Sequence, residues 1–151
     1  MKRLFSLGVA GLVFTSMMLV SCAPAQKTVI TNSNLPSLVG RWEGWMNFGI
    51  GGGTGFMCYL DIANDTPPIQ GRITFVHLPD RFAMIFPANA KTADNSVMID
   101  FRNGEIDNQG TLVTRNGKDF IEMTYLGGEK PKIQGSFYYW ATKGNFEVSK
   151  K

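Results

Sequence analysis

Apolar and polar residues alternate along most of the chain from Leu38 onward. This pattern is typical of β-strands, because successive side chains of a strand point to opposite faces. Phe56, Cys58, Leu60 and Ile62, for example, fall on one face of a single segment. No helical period is evident in this region, so we expect an all-β protein. The predicted strands are residues 40–48, 56–63, 69–76, 81–86, 96–102, 110–115, 118–126, 132–140 and 145–149.

Turn-forming sequences separate these segments at short, regular intervals. Residues 64–68 combine Asn and Asp, which stabilise turns, with two prolines that cannot continue a hydrogen-bonded ladder. Asn103-Gly104 and Asn116-Gly117 are dipeptides that tight hairpin turns favour. The spacing predicts an antiparallel up-and-down meander of eight or nine strands, which closes into a barrel or flattens into a sandwich.

A faint internal repeat accompanies the meander. Pro68-Ile-Gln-Gly71 is matched by Lys132-Ile-Gln-Gly135, 64 positions further along the chain. Both segments begin a predicted strand after a proline turn. Duplication of a hairpin and shared hairpin physics are equally good explanations.

The N-terminal 22 residues have a different character. Lys2 and Arg3 precede an uncharged, mostly apolar stretch over residues 4–20. A membrane span needs about 20 apolar residues, whereas this length is typical of a signal-peptide core. The stretch ends in Leu19-Val20-Ser21-Cys22, which resembles the lipobox of bacterial lipoproteins. In that family a diacylglycerol is attached to the cysteine thiol, and the peptide bond before the cysteine is cleaved.

The lipobox resemblance implies a domain organisation. Residues 1–21 would be a signal peptide, residues 22–37 the lipidated cysteine with a flexible tether, and residues 38–151 a single domain. Ala23 stands where inner-membrane lipoproteins of enterobacteria often carry Asp, which implies the outer membrane of the cell envelope. Two alternatives remain, a secretory signal cleaved near Ala23 or Ala25 and an uncleaved N-terminal helix. Val29-Ile30 is an alternative edge strand within the tether.

Charge and cysteine content narrow the function classes. Without Lys2 and Arg3, 13 basic residues face 12 acidic ones, a net charge of +1. The charges are scattered, so we expect no nucleic-acid partner, which would need a concentrated positive face. Lipidation of Cys22 would leave Cys58 alone, so no intramolecular disulfide is expected. Cys58 lies on an apolar face and is expected to be a buried, inert thiol.

Leu38-Val-Gly-Arg-Trp42 resembles the Gly-x-Trp start of the first strand in calycins, the barrel group of lipocalins, fatty-acid-binding proteins and avidins. The resemblance covers this motif and the strand count, while the Thr-Asp-Tyr type motif and the paired cysteines of lipocalins are absent. It implies that Trp42 plugs one barrel end and stacks against a basic side chain of the last strand. Lys150 is placed to be that partner.

Aromatic residues are the candidate ligand or partner contacts. Trp42 and Phe48 share one face of the first strand and Trp45 lies on the other, so one set faces something other than the core. An eight-stranded barrel is either filled or holds one small ligand. We expect a small apolar or amphipathic ligand, bound from the Trp42 face, or docking on another envelope component. The candidates are Trp42, Trp45, Phe48, Tyr138, Tyr139 and Trp140.

Catalytic chemistry finds little support in the sequence. His77 is the only histidine, and no nucleophile motif or Ser/His/Asp order is present. The Gly-rich residues 49–55 lack the Lys-Ser/Thr of a phosphate loop and precede a strand, which predicts a hairpin tip. We therefore expect no catalytic residue, metal or cofactor. A small hydrolase that uses Asp61, Asp80 or His77 is the alternative.

Overall fold

The computed structural model describes residues 26–49 and 55–150 and confirms the predicted all-β antiparallel meander. Cys22, the predicted signal peptide and residues 50–54 of the predicted hairpin tip lie outside these ranges. The eight strands are β1 Gly40–Phe48, β2 Phe56–Ile62, β3 Ile69–Phe75, β4 Val97–Ile106, β5 Leu112–Asn116, β6 Asp119–Leu126, β7 Lys132–Tyr139 and β8 Thr142–Lys150. Two short α-helices, α1 Leu35–Leu38 and α2 Asp80–Ala83, and a 3-10 turn at Ala88–Ala90 complete the described elements.

The sheet closes on itself and is therefore a barrel rather than a sandwich. Each strand pairs with the next one along the chain, and β8 returns to pair with β1. The closing ladder runs from Trp42↔Lys150 to Phe48↔Gly144. The structure shows which face of each strand is inside, because the apolar residues of the predicted alternation point into the barrel. The last predicted strand, residues 145–149, is confirmed as part of β8.

Phenylalanine rings that lie over glycines fill the barrel interior. The cross-strand pairs are Gly71↔Phe101, Gly135↔Phe146 and Phe137↔Gly144. A Cβ added at any of these glycines would approach the ring of its partner phenylalanine to less than 3.0 Å. The rings thus occupy the space that side chains at the glycines would need. Gly71 and Gly135 are also the glycines of the internal repeat, so the two repeated segments share this packing.

Helix α1 closes the barrel end at which β1 begins. Trp42 is completely buried there, and its indole N–H donates a hydrogen bond to the carbonyl of Leu38 at 2.8 Å. The Lys150 ammonium lies 5.4 Å from the Trp42 ring centroid and donates to the carbonyl of Ser37. The expected contact between Trp42 and a basic residue of the last strand is therefore confirmed.

The predicted flexible tether is wrong for residues 27–37. Lys27 forms a β-bridge with Leu126, and the Ile30 N–H donates to the Gly110 carbonyl at 3.0 Å. Ile30 and Leu35 are buried in the core. The segment is polar in overall composition, but the buried side chains of Ile30 and Leu35 hold it across the barrel end. It adds an isolated bridge and not the alternative edge strand.

The predicted strand at residues 81–86 is wrong as well. The chain forms α2 after Pro79, and the following residues turn under the opposite end of the barrel. The Phe82 ring stacks on Phe48 with a centroid distance of 5.2 Å, and the Phe86 ring contacts Phe75 at 6.0 Å. The apolar residues of this segment thus plug the barrel end. Their spacing along the chain resembles that of a strand, which is why the sequence predicts a strand.

Gly135 provides a test of the filled interior. An alanine Cβ there would meet the Phe146 ring and the Glu122 carbonyl oxygen, the latter at 2.7 Å. We expect Gly135→Ala to lower the free energy of unfolding by about 1–3 kcal/mol, the usual effect of overpacking. Gly49→Ala is the matched control, because its nearest neighbour would lie at 3.7 Å. Urea unfolding followed by tryptophan fluorescence measures both, and equal stabilities would contradict the packing described here.

Candidate functional site

The barrel wall is incomplete between β4 and β5. The two strands form only the pairs Glu105↔Val113 and Ile106↔Leu112. Next to these pairs the Asn103 side chain replaces the ladder, since its amide donates to the Arg115 carbonyl and accepts from the Thr114 hydroxyl. Asn103-Gly104, predicted to be a turn, therefore lies inside β4, where the pairing with β3 changes register. We call this part of the wall the β4–β5 seam.

A pocket of about 270 Å³ opens at the seam. Five consecutive β4 residues, 99–103, line it. Consecutive side chains of a strand point to opposite faces, so a pocket that touches all five lies at the edge of β4 and not on one face. The remaining lining residues are Thr114, Asn116, Asp119, Phe120, Ile121 and Tyr139. We call this cavity the seam pocket.

The seam pocket combines apolar and polar groups. Ile99, Phe101 and Ile121 are core residues that form its apolar side. Asn103 and Asn116 contribute amides, and the edge of β4 contributes backbone groups that the short β4–β5 ladder does not pair. Edge backbone groups that lack a strand partner form hydrogen bonds with water or with a ligand, the N–H groups as donors and the carbonyls as acceptors. The pocket is therefore suited to a small molecule with one apolar and one polar end.

A second concave surface crosses the outside of the wall, with a volume of about 750 Å³. Two rows of outward-facing side chains from β1, β8, β7 and β6 stand opposite one another in the strand registers. One row contains Trp45, Glu147, Gln134 and Thr124, and the other contains Asn47, Asn145, Ser136 and Glu122. We call this surface the outer groove. Lys27 and residues 107–111 border its β6 end.

The carboxylates of the outer groove are paired within the wall. Glu147 accepts hydrogen bonds from the Lys132 ammonium at 2.5 Å and from the Gln134 amide at 2.7 Å. These two donors hold the pKa of Glu147 below its ordinary value. Glu122 forms an ion pair with Arg115 at 3.2 Å. The groove therefore presents mostly neutral amides and hydroxyls.

The six aromatic candidates do not form one site. Trp42 and Phe48 are buried in the core, whereas Trp45 is 59% exposed in the outer groove. Tyr139 lines the seam pocket, and Tyr138, its neighbour on the opposite face, stacks on Phe120 outside the barrel. Trp140 is 52% exposed in the tight turn between β7 and β8, at a φ of 51°.

Sequence reasoning missed most residues of the seam pocket. Phe101, Asn103, Thr114 and Ile121 were not among the candidates. An available signal was Gly104 within an otherwise strand-like segment, which is typical of a β-bulge. We read Asn103-Gly104 as a turn because that dipeptide also favours hairpins.

The residues of the hydrolase alternative lie in ordinary polar contacts. Asp61 forms an ion pair with Arg41 at 2.8 Å on the outer wall, and His77 is exposed with its Nδ1 3.3 Å from the Asp94 carboxylate. Asp80 accepts a hydrogen bond from the Asn95 amide at 2.6 Å. Residues 26–49 and 55–150 contain no cluster of three or more His, Cys, Asp or Glu that could hold a metal ion. Within the same ranges, no helix is both long enough and apolar enough to cross a membrane.

In comparisons with known proteins, no protein-family model, no curated protein and no solved structure matches this chain. The fold and the geometry of the two surfaces are therefore the basis for a functional proposal.

Cys58 yields a prediction about reactivity. The thiol is buried among apolar side chains, and this burial raises its pKa to about 12. Since the thiolate is the reactive form, the folded protein should not react with iodoacetamide at pH 8. In a Cys22→Ser variant, where Cys58 is the only thiol, labelling should appear only after unfolding in urea. Labelling of the folded variant at the rate of a free thiol would contradict this prediction.

Proposed function

We propose that this protein is a lipid-anchored component of the bacterial cell envelope whose non-catalytic barrel binds a small amphipathic molecule in the seam pocket. The observation that carries the proposal is the position of this pocket at the edge of β4, with core side chains on one side and polar groups on the other. The expected ligand class is retained, but the site moves from the Trp42 face to the wall, because phenylalanine rings fill the interior.

The two ends of the pocket match the two parts of such a ligand. Phe101 and Ile121 would cover an apolar chain or ring, and each buried methylene contributes about 0.8 kcal/mol. Asn103, Asn116 and the backbone edge of β4 would bind a polar head group. A few placed polar groups beside an apolar surface are typical of small-molecule sites.

The lipobox-like motif in the sequence supports the lipid anchor, and the packing of residues 27–37 limits how far the barrel can lie from the bilayer. If Cys22 carries lipid, only residues 23–26 separate it from Lys27, which is bonded to the barrel. Cys22 and Lys27 can then be at most about 18 Å apart. The barrel would be held close to the bilayer instead of at the end of a 16-residue tether. Ala23 supports the outer membrane as the destination.

Lipidation is tested by exchanging either cysteine for serine. Cys22→Ser should move the protein from the membrane to the soluble fraction and remove the mass of the lipid from the intact protein. Cys58→Ser is the matched control and should remain membrane-bound with its lipid mass. Fractionation and intact mass spectrometry measure both variants. A Cys22→Ser protein that kept the lipid mass and the membrane location of the wild type would refute the anchor.

Ligand binding is tested in cells by photo-crosslinking from two positions. A benzoylphenylalanine at position 139 lines the seam pocket, and one at position 59, on the outer face of β2, lies outside it. We expect position 139 to capture an adduct with a mass in the metabolite or lipid range, and position 59 to capture none. The adduct should be lost in Asn116→Trp, which fills the pocket mouth, and retained in Asn108→Trp, whose loop lies outside it.

Intact mass spectrometry of the full-length protein measures the adducts, and circular dichroism establishes that each variant is folded. Equal adducts at positions 59 and 139, or no small-molecule adduct at position 139 of a folded protein, would refute the seam pocket as the binding site.

A further inference from the structure

We propose that the outer groove is a separate binding site for a chain of neutral sugars, with Trp45 as the surface on which one sugar ring stacks. This inference is independent of the seam pocket, because the two surfaces share no residue.

The shape of the outer groove fits an extended chain. Its two rows cross four neighbouring strands, β1, β8, β7 and β6, which are three inter-strand steps or about 14 Å in total. Such a length exceeds a single sugar and accommodates several linked rings. Trp45 lies at one end of the groove, and Lys27 and Gln109 lie at the other.

The charges of the groove favour a neutral ligand. Glu147 is bonded to Lys132 and Gln134, and Glu122 is paired with Arg115. Asp107 accepts the backbone N–H groups of Gln109 and Thr111 at 2.8 and 2.9 Å. Lys27 adds one cation at the β6 end. The lining between these charged groups includes Asn47, Asn145, Gln134, Ser136 and Thr124, whose amides and hydroxyls donate and accept hydrogen bonds without net charge.

Other ligand classes fit this surface less well. A nucleic acid needs a concentrated set of cations along its phosphates, which the groove lacks among its described residues. The core of a protein interface is typically apolar and well packed, whereas among the described lining residues Trp45 is the one exposed aromatic side chain. A groove of neutral amides and hydroxyls with one aromatic ring is suited to a molecule with hydroxyl edges and C–H faces.

Trp45 supplies the apolar face that such a ligand requires. Its side chain is 59% exposed although it stands in the middle of β1, opposite Glu147 and Met57. Gly55 lies against it, and a Cβ there would be 3.4 Å from the Asn47 amide oxygen and 3.8 Å from the Trp45 ring. Asn47, two residues further along the same face of β1, is exposed as well, so the ring and the amide are accessible side by side. A flat aromatic face beside a hydrogen-bonding amide matches one sugar ring.

Calorimetry tests this proposal on the full-length protein in lipid nanodiscs, with chitohexaose, cellohexaose and maltohexaose as probes. We expect saturable binding of at least one of these hexasaccharides. Trp45→Ala should weaken that binding by roughly tenfold or more without changing the urea unfolding curve. Trp140→Ala is the matched control, because that tryptophan is similarly exposed but lies outside the groove, and it should keep the wild-type affinity.

Asn145→Leu, in the centre of the groove, is a second variant that should weaken binding while the protein remains folded. The proposal is overturned if none of the three hexasaccharides binds. It is also overturned if Trp45→Ala binds as tightly as the wild type, or if Trp45→Ala and Trp140→Ala lose affinity equally. These outcomes leave the seam pocket untouched, because its crosslinking test uses different residues.

Discussion

The closing ladder between β1 and β8 is the constraint on which the rest of the structure depends. A closed barrel of eight strands is just wide enough for its own side chains or for one small ligand. Here phenylalanines that lie over Gly71, Gly135 and Gly144 take that space. The interior therefore stabilises the fold, and binding surfaces can arise only in the wall or on its outside. Trp42 and Phe48 are buried in this interior and therefore have packing roles.

The position of the seam follows from the unequal lengths of β4 and β5. Helix α1 and Trp42 close one barrel end, and the plug with Phe82 and Phe86 closes the other end against rings of β1, β2 and β3. Toward the plugged end β4 extends beyond the short β5, and the Asn103 side chain bonds to β5 next to the last strand pair. The wall is thus weakest beside polar groups that can serve a ligand.

Much of the fold could be predicted from the sequence, because strand alternation is a local property. Seven of the predicted strands match closely in type and place, and the pairing of Trp42 with Lys150 was expected from the Gly-x-Trp motif. The errors concern residues whose role depends on distant partners. The apolar spacing of residues 81–86 is that of a strand, but their rings pack on Phe48 and Phe75 at the barrel end. Ile30 and Leu35 lie in a linker-like composition, but both are buried once the barrel end has formed.

The candidate surfaces were harder to predict for the same reason. Alternation shows that Trp45 and Trp42 face opposite ways, but only barrel closure decides which one is outside. The rows of the outer groove combine residues from β1, β8, β7 and β6 that lie far apart in the sequence. The seam pocket depends on a ladder that ends early, and Gly104 indicates an irregularity in β4 without showing where the pairing with β5 stops. Local sequence patterns thus indicate candidate residues, whereas the strand register determines which of them come together in one surface.

The proposed anchor would orient both surfaces relative to the bilayer. Lys27 borders the β6 end of the outer groove and lies at the barrel end that α1 closes, so a lipid on Cys22 would hold this end at the membrane. The seam pocket lies toward the opposite end, beside the turn between β5 and β6. A ligand would then reach the seam pocket from the aqueous side and not directly from the bilayer. The rows of the outer groove cross the strands, so in this orientation the groove would run around the barrel beside the bilayer, which suits a polymer that lies alongside the membrane.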